Sequence, residues 1–158
     1  MRYIPLMDTT ALLSWLETQP SALTLILKAP PEALDAHPIP EKWSARQNLA
    51  HLGRFHQVFL ARLEQILTVD NPHLVSRTPE NDPDLAAWME LPVPEIIARM
   101  KGLRSQIVQR LRDLPEEKWA RTGVHPLFGP MDIGELLEHF LVHEGHHLYV
   151  ALQRSRGH

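Results

Sequence analysis

The 158-residue chain contains no cysteine. That absence removes disulfides, a thiol nucleophile and thiolate metal ligands together, and leaves histidine and carboxylates as the groups a metal site would use. No apolar run approaches the roughly 18–20 residues of a membrane span, and the N-terminus lacks a signal-peptide pattern. A cytoplasmic protein with no membrane partner is therefore expected. The net charge is -3 with histidines neutral, and no basic stripe appears, which argues against a nucleic-acid partner. No stretch reads as a convincing strand. Hydrophobic residues make up 44% and charged residues 22%, an ordinary globular balance, and the length suits one domain over residues 1–158 with a continuous core.

Histidine is what the chain has in quantity: ten in all, four of them inside the stretch Asp132–Arg154. That stretch, DIGELLEHFLVHEGHHLYVALQR, reads as a helix over about 132–154. Asp132 and Glu135 form a reciprocal cap, and Ile133, Leu136, Leu137, Phe140, Leu141, Leu148, Ala151 and Leu152 recur at the spacing of one helical face. Residues four apart differ by roughly 40° around the axis. His139, His143 and His147 thus form a slowly winding line beside the apolar stripe, with His146 further toward solvent. Two imidazoles at this spacing can converge on one ion. A solvated histidine edge is the competing reading. Glu144 falls near the middle of the apolar stripe, where a carboxylate needs a partner or a purpose.

Residues 9–28 carry Leu12, Leu13, Leu16, Leu23, Ile26 and Leu27 at helical spacing, with Pro20 set to kink the helix or start a second segment. Prolines then mark a connection as far as Trp43, with room for one turn of helix. Ser44 and Gln47 form a capping box for a helix over about 44–67, whose stripe is Leu49, Leu52, Phe59, Leu63, Ile66 and Leu67. His51 lies at one edge of that stripe and His56 nearer its centre. About 140° separates them, so one ion cannot readily take both. Periodicity makes His56 the more buried, a core histidine bonded to a neighbour. Residues 68–92 contain four prolines and one short helical pattern near Asp84–Glu90, a connection long enough to be functional or partly mobile. Pro94 opens a helix over about 94–113, and LPEEKW at 114–119 echoes IPEKW at 39–43. The turn-rich HPLFGP at 125–130 brings His125 close to the start of the last helix. The expected fold is an all-α four-helix bundle with long connecting loops, and bundles build metal sites from side chains on facing helices. If the second and last long helices are neighbours, His51 faces the His143/His147 pair.

These residues resemble the DinB/YfiT-like superfamily of metal-binding four-helix bundles. Trp43-Ser44 with Leu49-Ala50-His51-Leu52, the HPLFGP loop, and Leu136-Leu137 leading into His143-Glu144-Gly145-His146-His147 carry the likeness, which spans nearly the whole chain. The resemblance implies a metal triad of His51, His143 and His147, and so prefers His51 over His56 as a ligand. Two departures accompany it: Val150 stands where many relatives have glutamine, and His56 where an acidic residue is common.

Relatives with a known reaction are metal-dependent enzymes acting with small thiols, namely S-transferases using glutathione, mycothiol or bacillithiol, and a maleylpyruvate isomerase. The resemblance therefore implies a metal-dependent enzyme of the small-thiol S-transferase class, with a small-molecule substrate, a zinc or nickel ion and a homodimer. Two alternatives stand beside it: a hydrolase using metal-activated water, and a non-catalytic bundle in which the metal stabilises a sensor or assembly module. Glu144 is the candidate catalytic carboxylate, accepting an imidazole N–H from a ligand or acting as a base. Its structural alternative is a pairing with an arginine from another helix, such as Arg54 or Arg62. His139 is expected beside the site rather than as a fourth ligand, His125 near the cavity, and Trp43 and Trp119 at the ends of the bundle.

Overall fold

Two reciprocal caps begin the two longest helices. The Ser44 hydroxyl accepts from the Gln47 N–H at 3.1 Å while Gln47 Oε1 accepts from the Ser44 N–H at 2.9 Å. Asp132 and Glu135 repeat the exchange, both bonds at 2.8 Å. Each pair satisfies donors that a helix start leaves without a partner.

The computed structural model describes residues 8–158. Its helices are α1 (Thr9–Thr18), α2 (Leu23–Ile26), α3 (Pro31–Asp35), α4 (Ala45–Thr68), α5 (Leu85–Met89), α6 (Val93–Arg112) and α7 (Ile133–Ser155). The expected first helix is split as Pro20 required. Pro20 has no N–H to bond back to Leu16, and residues Gln19–Ala22 tighten into a 3-10 turn between α1 and α2.

The expectation of no strand needs correction. β1 (Thr122–His125) and β2 (Gly129–Asp132) form an antiparallel hairpin. Neither TGVH nor GPMD alternates in polarity, so periodicity could not reveal them. The turn between them does the work, with Gly129 at φ +72°, a conformation that costs a residue with a side chain more than glycine. Gly123 lets β1 lie close to α4, since a Cβ there would sit 2.9 Å from the Ile66 side chain.

Side-chain pairs give the helix directions. Asn48 meets His147, His51 meets His143, and Phe55 stacks on Phe140, so α4 and α7 are antiparallel. Trp88 lies against Gly53 near the start of α4, just ahead of α6, while Glu64 near its end holds Arg110 near the end of α6. α4 and α6 are therefore parallel. Leu12 lies near Gly134 and Gln19 donates to the Leu141 carbonyl at 3.0 Å, which makes α1 and α7 parallel. This arrangement explains the long connection over residues 69–92. It must carry the chain back along α4, a 24-residue helix and so about 36 Å long. The crossover is tied down on the way: Leu74 is in the core, Arg54 grips Asp82 at 2.8 and 3.0 Å, and Trp88 Nε1 donates to Gln57 at 2.9 Å.

The core falls into two apolar clusters. One gathers Leu12, Leu16, Phe59, Leu63, Ile107, Leu137, Phe140 and Leu141; the other gathers Leu49, Leu52, Trp88, Ile96, Met100, Leu148 and Ala151. Between them, one turn from each on all three long helices, lie His56, Arg104 and Glu144, all buried. No helix among the described residues is long and apolar enough to cross a membrane.

Candidate metal centre

α4 contributes His51 from its second turn and α7 contributes His143 and His147 from successive turns. One ring nitrogen of each lies within 4.8 Å of the others, and Nε2 of His51 is 3.1 Å from Nε2 of His143. Nitrogens held at about 2.0–2.1 Å around a tetrahedral ion would be roughly 3.4 Å apart, so this spacing fits one divalent ion. Partial burial disfavours the charged imidazolium. The pKa of His51 is lowered to about 4 by burial, against the opposing charge of Asp82. Those of His143 and His147 are lowered to about 3, by burial first and then by the neighbouring histidines. All three rings are neutral at physiological pH and keep a lone pair to donate.

One ring is oriented by a residue that sequence reasoning missed. His147 Nδ1 is 2.8 Å from Asn48 Oδ1, so Nδ1–H donates to that amide oxygen and Nε2 is left with the lone pair. Asn48 is fixed in turn, its Nδ2 donating to the Ser44 carbonyl at 2.9 Å. Its place three residues before His51, on the same helical face, was the available signal. Trp43, just ahead of α4, packs its ring 5.1 Å from His51 and 6.1 Å from His147 and walls the centre, and Trp119 is buried in the apolar core.

Glu144 points the other way. Its Oε1 accepts from Gln19 Nε2 at 2.8 Å and from the Arg104 guanidinium, and its Oε2 lies 3.4 Å from His56 Nε2. Asn48, not Glu144, accepts the imidazole N–H of His147, and the arginine from another helix that pairs with Glu144 is Arg104. Arg54 instead holds Asp82, and Arg62 donates to the Val75 carbonyl at 2.9 Å. His56 is fully buried, as periodicity required, with Nδ1–H donating to the Leu52 carbonyl at 2.6 Å. Burial lowers its pKa to about 4, against the pull of Glu144 and with the help of Arg104.

His139 and His146 stay outside the triad and line a cleft of about 590 Å³ together with Phe55, Phe128, Glu138, Val142 and His143. His125 braces the hairpin turn, its Nδ1 accepting from the Leu127 N–H at 3.2 Å, with the Phe128 ring stacked 4.9 Å away. On the opposite flank a second cleft contains Trp43, Asn48, His146, His147 and Val150 alongside the charged Glu41, Lys42 and Arg154. Val150 offers His147 no polar contact there; Asn48 does.

The sequence model of the DinB superfamily matches residues 15–151. A protein of Oceanobacillus iheyensis, named as a candidate metal-dependent hydrolase, is 29% identical over 108 residues, or 67% of this chain. The match spans 61% of that relative's length. Among solved structures, YfiT from Bacillus subtilis superposes with a TM-score of 0.78 over 99% of this chain and 92% of its own, at 20% identity. It is described as a probable metal-dependent hydrolase with an unusual four-helix bundle topology. The likeness is one of fold, and the parallel pairing of α4 with α6 is how this chain departs from a simple up-and-down bundle.

Proposed function

Because the chain belongs to the DinB superfamily, we propose that it is a metal-dependent enzyme centred on His51, His143 and His147. The observation that carries this reading is the convergence of three neutral imidazoles within 4.8 Å beside an open cleft. Three protein ligands, rather than the four of a closed structural site, suit a catalytic centre. A zinc or nickel ion held there would supply Lewis-acid activation of a water or thiol at its remaining position. The protein's own groups do the rest. Asn48 fixes the His147 tautomer, Trp43 and Phe55 shield the rings from water, and His139 and His146 offer ring nitrogens in the cleft wall that can take up or return a proton.

Hydrolysis is the first reaction class to test, since the curated relative and the structural neighbour are both described as hydrolases. Transfer of a small thiol is the second, because a cleft of about 590 Å³ has room for a thiol beside an electrophile. The experiment is metal analysis by mass spectrometry on tag-free wild type and His147→Ala, followed by turnover of an ester and amide panel with and without glutathione. About one ion per chain, lost in the variant, and thiol-independent turnover is the expected result. Turnover only with thiol would move the assignment to transfer. No metal even after reconstitution would overturn the metal centre itself.

A further inference from the structure

The two flanks of the triad differ in chemistry. The His147 side is charged, with Glu41, Lys42 and Arg154. The His143 side carries Phe55, Phe128 and Val142 beside Glu138, His139 and His146: Phe55 from α4 lies 4.2 Å from the His143 ring, and Phe128 from the hairpin turn lies 4.2 Å from the His139 ring. Exposed apolar residues scattered singly need no explanation. Here Phe128 is 55% exposed and Val142 62% exposed, and both line the cleft that contains His143.

The hairpin holds Phe128 there by several means. His125 stacks on its ring and accepts from its N–H at 3.4 Å, and Gly129 supplies the left-handed residue that turns the chain back. Strand β1 is anchored to the crossover, the Val124 N–H donating to the Pro72 carbonyl at 2.7 Å and the Val124 carbonyl accepting from the Leu74 N–H at 2.9 Å. An exposed aromatic ring held by this much backbone is preorganised to meet a ligand, which lowers the ordering cost of binding.

We propose that the cleft selects substrates with a flat aromatic body, taken between Phe55 and Phe128, with the reacting polar group turned toward His143 and the triad. This rests on the metal-centre reading and adds the substrate class. Phe128 is then a specificity residue. It touches the substrate's body, not the reacting atoms.

The test uses zinc-loaded protein and two hydroxamates with the same metal-seeking group, acetohydroxamate and benzohydroxamate, with affinities read by calorimetry. Benzohydroxamate is expected to bind about three- to tenfold tighter, the span an aromatic contact contributes. Phe128→Ala should remove most of that preference and leave acetohydroxamate binding unchanged, and Phe128→Tyr should retain it. Equal binding of the two probes, or a preference that survives Phe128→Ala, overturns the proposal while the metal centre stands. Failure to bind zinc overturns both, and zinc-loaded protein that binds neither probe overturns the proposal while metal binding stands.

Discussion

Asn48 and Glu144 are buried polar side chains on the two helices that carry the triad, and they serve different neighbours. Asn48 bonds His147, and removing such a partner typically costs about 10–100-fold in metal affinity. Asn48→Ala should therefore weaken zinc binding by about that factor in a chelator competition, whereas Asn48→Asp, which keeps an acceptor, should lose less. Equal losses in both variants would show that the amide oxygen is not what orients the ring. Glu144 holds Arg104, with side-chain exposures of 3% and 10%. Breaking a buried pair from one side costs about 3–5 kcal/mol because the remaining charge is stranded. Glu144→Leu should lower the urea midpoint accordingly, and adding Arg104→Met should recover much of it. A Glu144→Gln protein that folds normally but has lost its zinc would instead place this carboxylate at the metal.

Among the elements, α4 is constrained by the crossover that runs back beside it. A Cβ on Gly53 would lie 2.2 Å from Cζ3 of Trp88, whereas one on Gly102 of α6 meets nothing within 4 Å. Gly53→Ala is predicted to destabilise by about 1–3 kcal/mol through overpacking. Gly102→Ala should stabilise by up to about 1 kcal/mol through helix propensity. Chemical denaturation of both variants measures this, and a neutral Gly53→Ala would mean that Trp88 is free to move aside. The same elements show what the sequence discloses. The starts of α4 and α7 were legible because a capping box is local, and His143 with His147 because four residues make one turn. The Asn48–His147 and Glu144–Arg104 contacts join residues 99 and 40 apart, and no spacing rule reaches that far. The parallel run of α4 and α6 was hidden for the same reason: the length of residues 69–92 signalled a special connection but not its direction. His51 was preferred over His56 only through family resemblance, since periodicity ranks burial and a ligand belongs at the edge of a stripe.

For the molecule as a whole, the histidines set the response to acid. The folded-state pKa values are about 4 for His51 and His56 and about 3 for His143 and His147, all below the 6.5 of an unfolded chain. Between these limits the unfolded chain binds more protons than the folded one, so stability is fully present above pH 6.5 and falls as the pH drops toward 3–4. Urea midpoints of metal-free protein at pH 7, 6 and 5 should decrease in that order, and a flat profile would contradict neutral buried rings. Zinc should act in the opposite sense at neutral pH. At a free concentration 100 times its Kd it adds about 2.7 kcal/mol, seen as a rise in Tm that His147→Ala abolishes.

The buried layer of His56, Arg104 and Glu144 has a mechanical consequence. Apolar burial is non-directional, so by itself it sets the height and rotation of a helix less sharply than a charged pair does. A charged group cannot leave its partner so cheaply. Glu144 is flanked in sequence by His143 and followed a turn later by His147, while its own side chain is locked to α6 and to Gln19 behind. It therefore works as a key in a shaft: α7 can neither creep along its axis nor rotate without giving up that lock. The front of the same helix, where the three rings converge, inherits a fixed position from an interaction that never touches it.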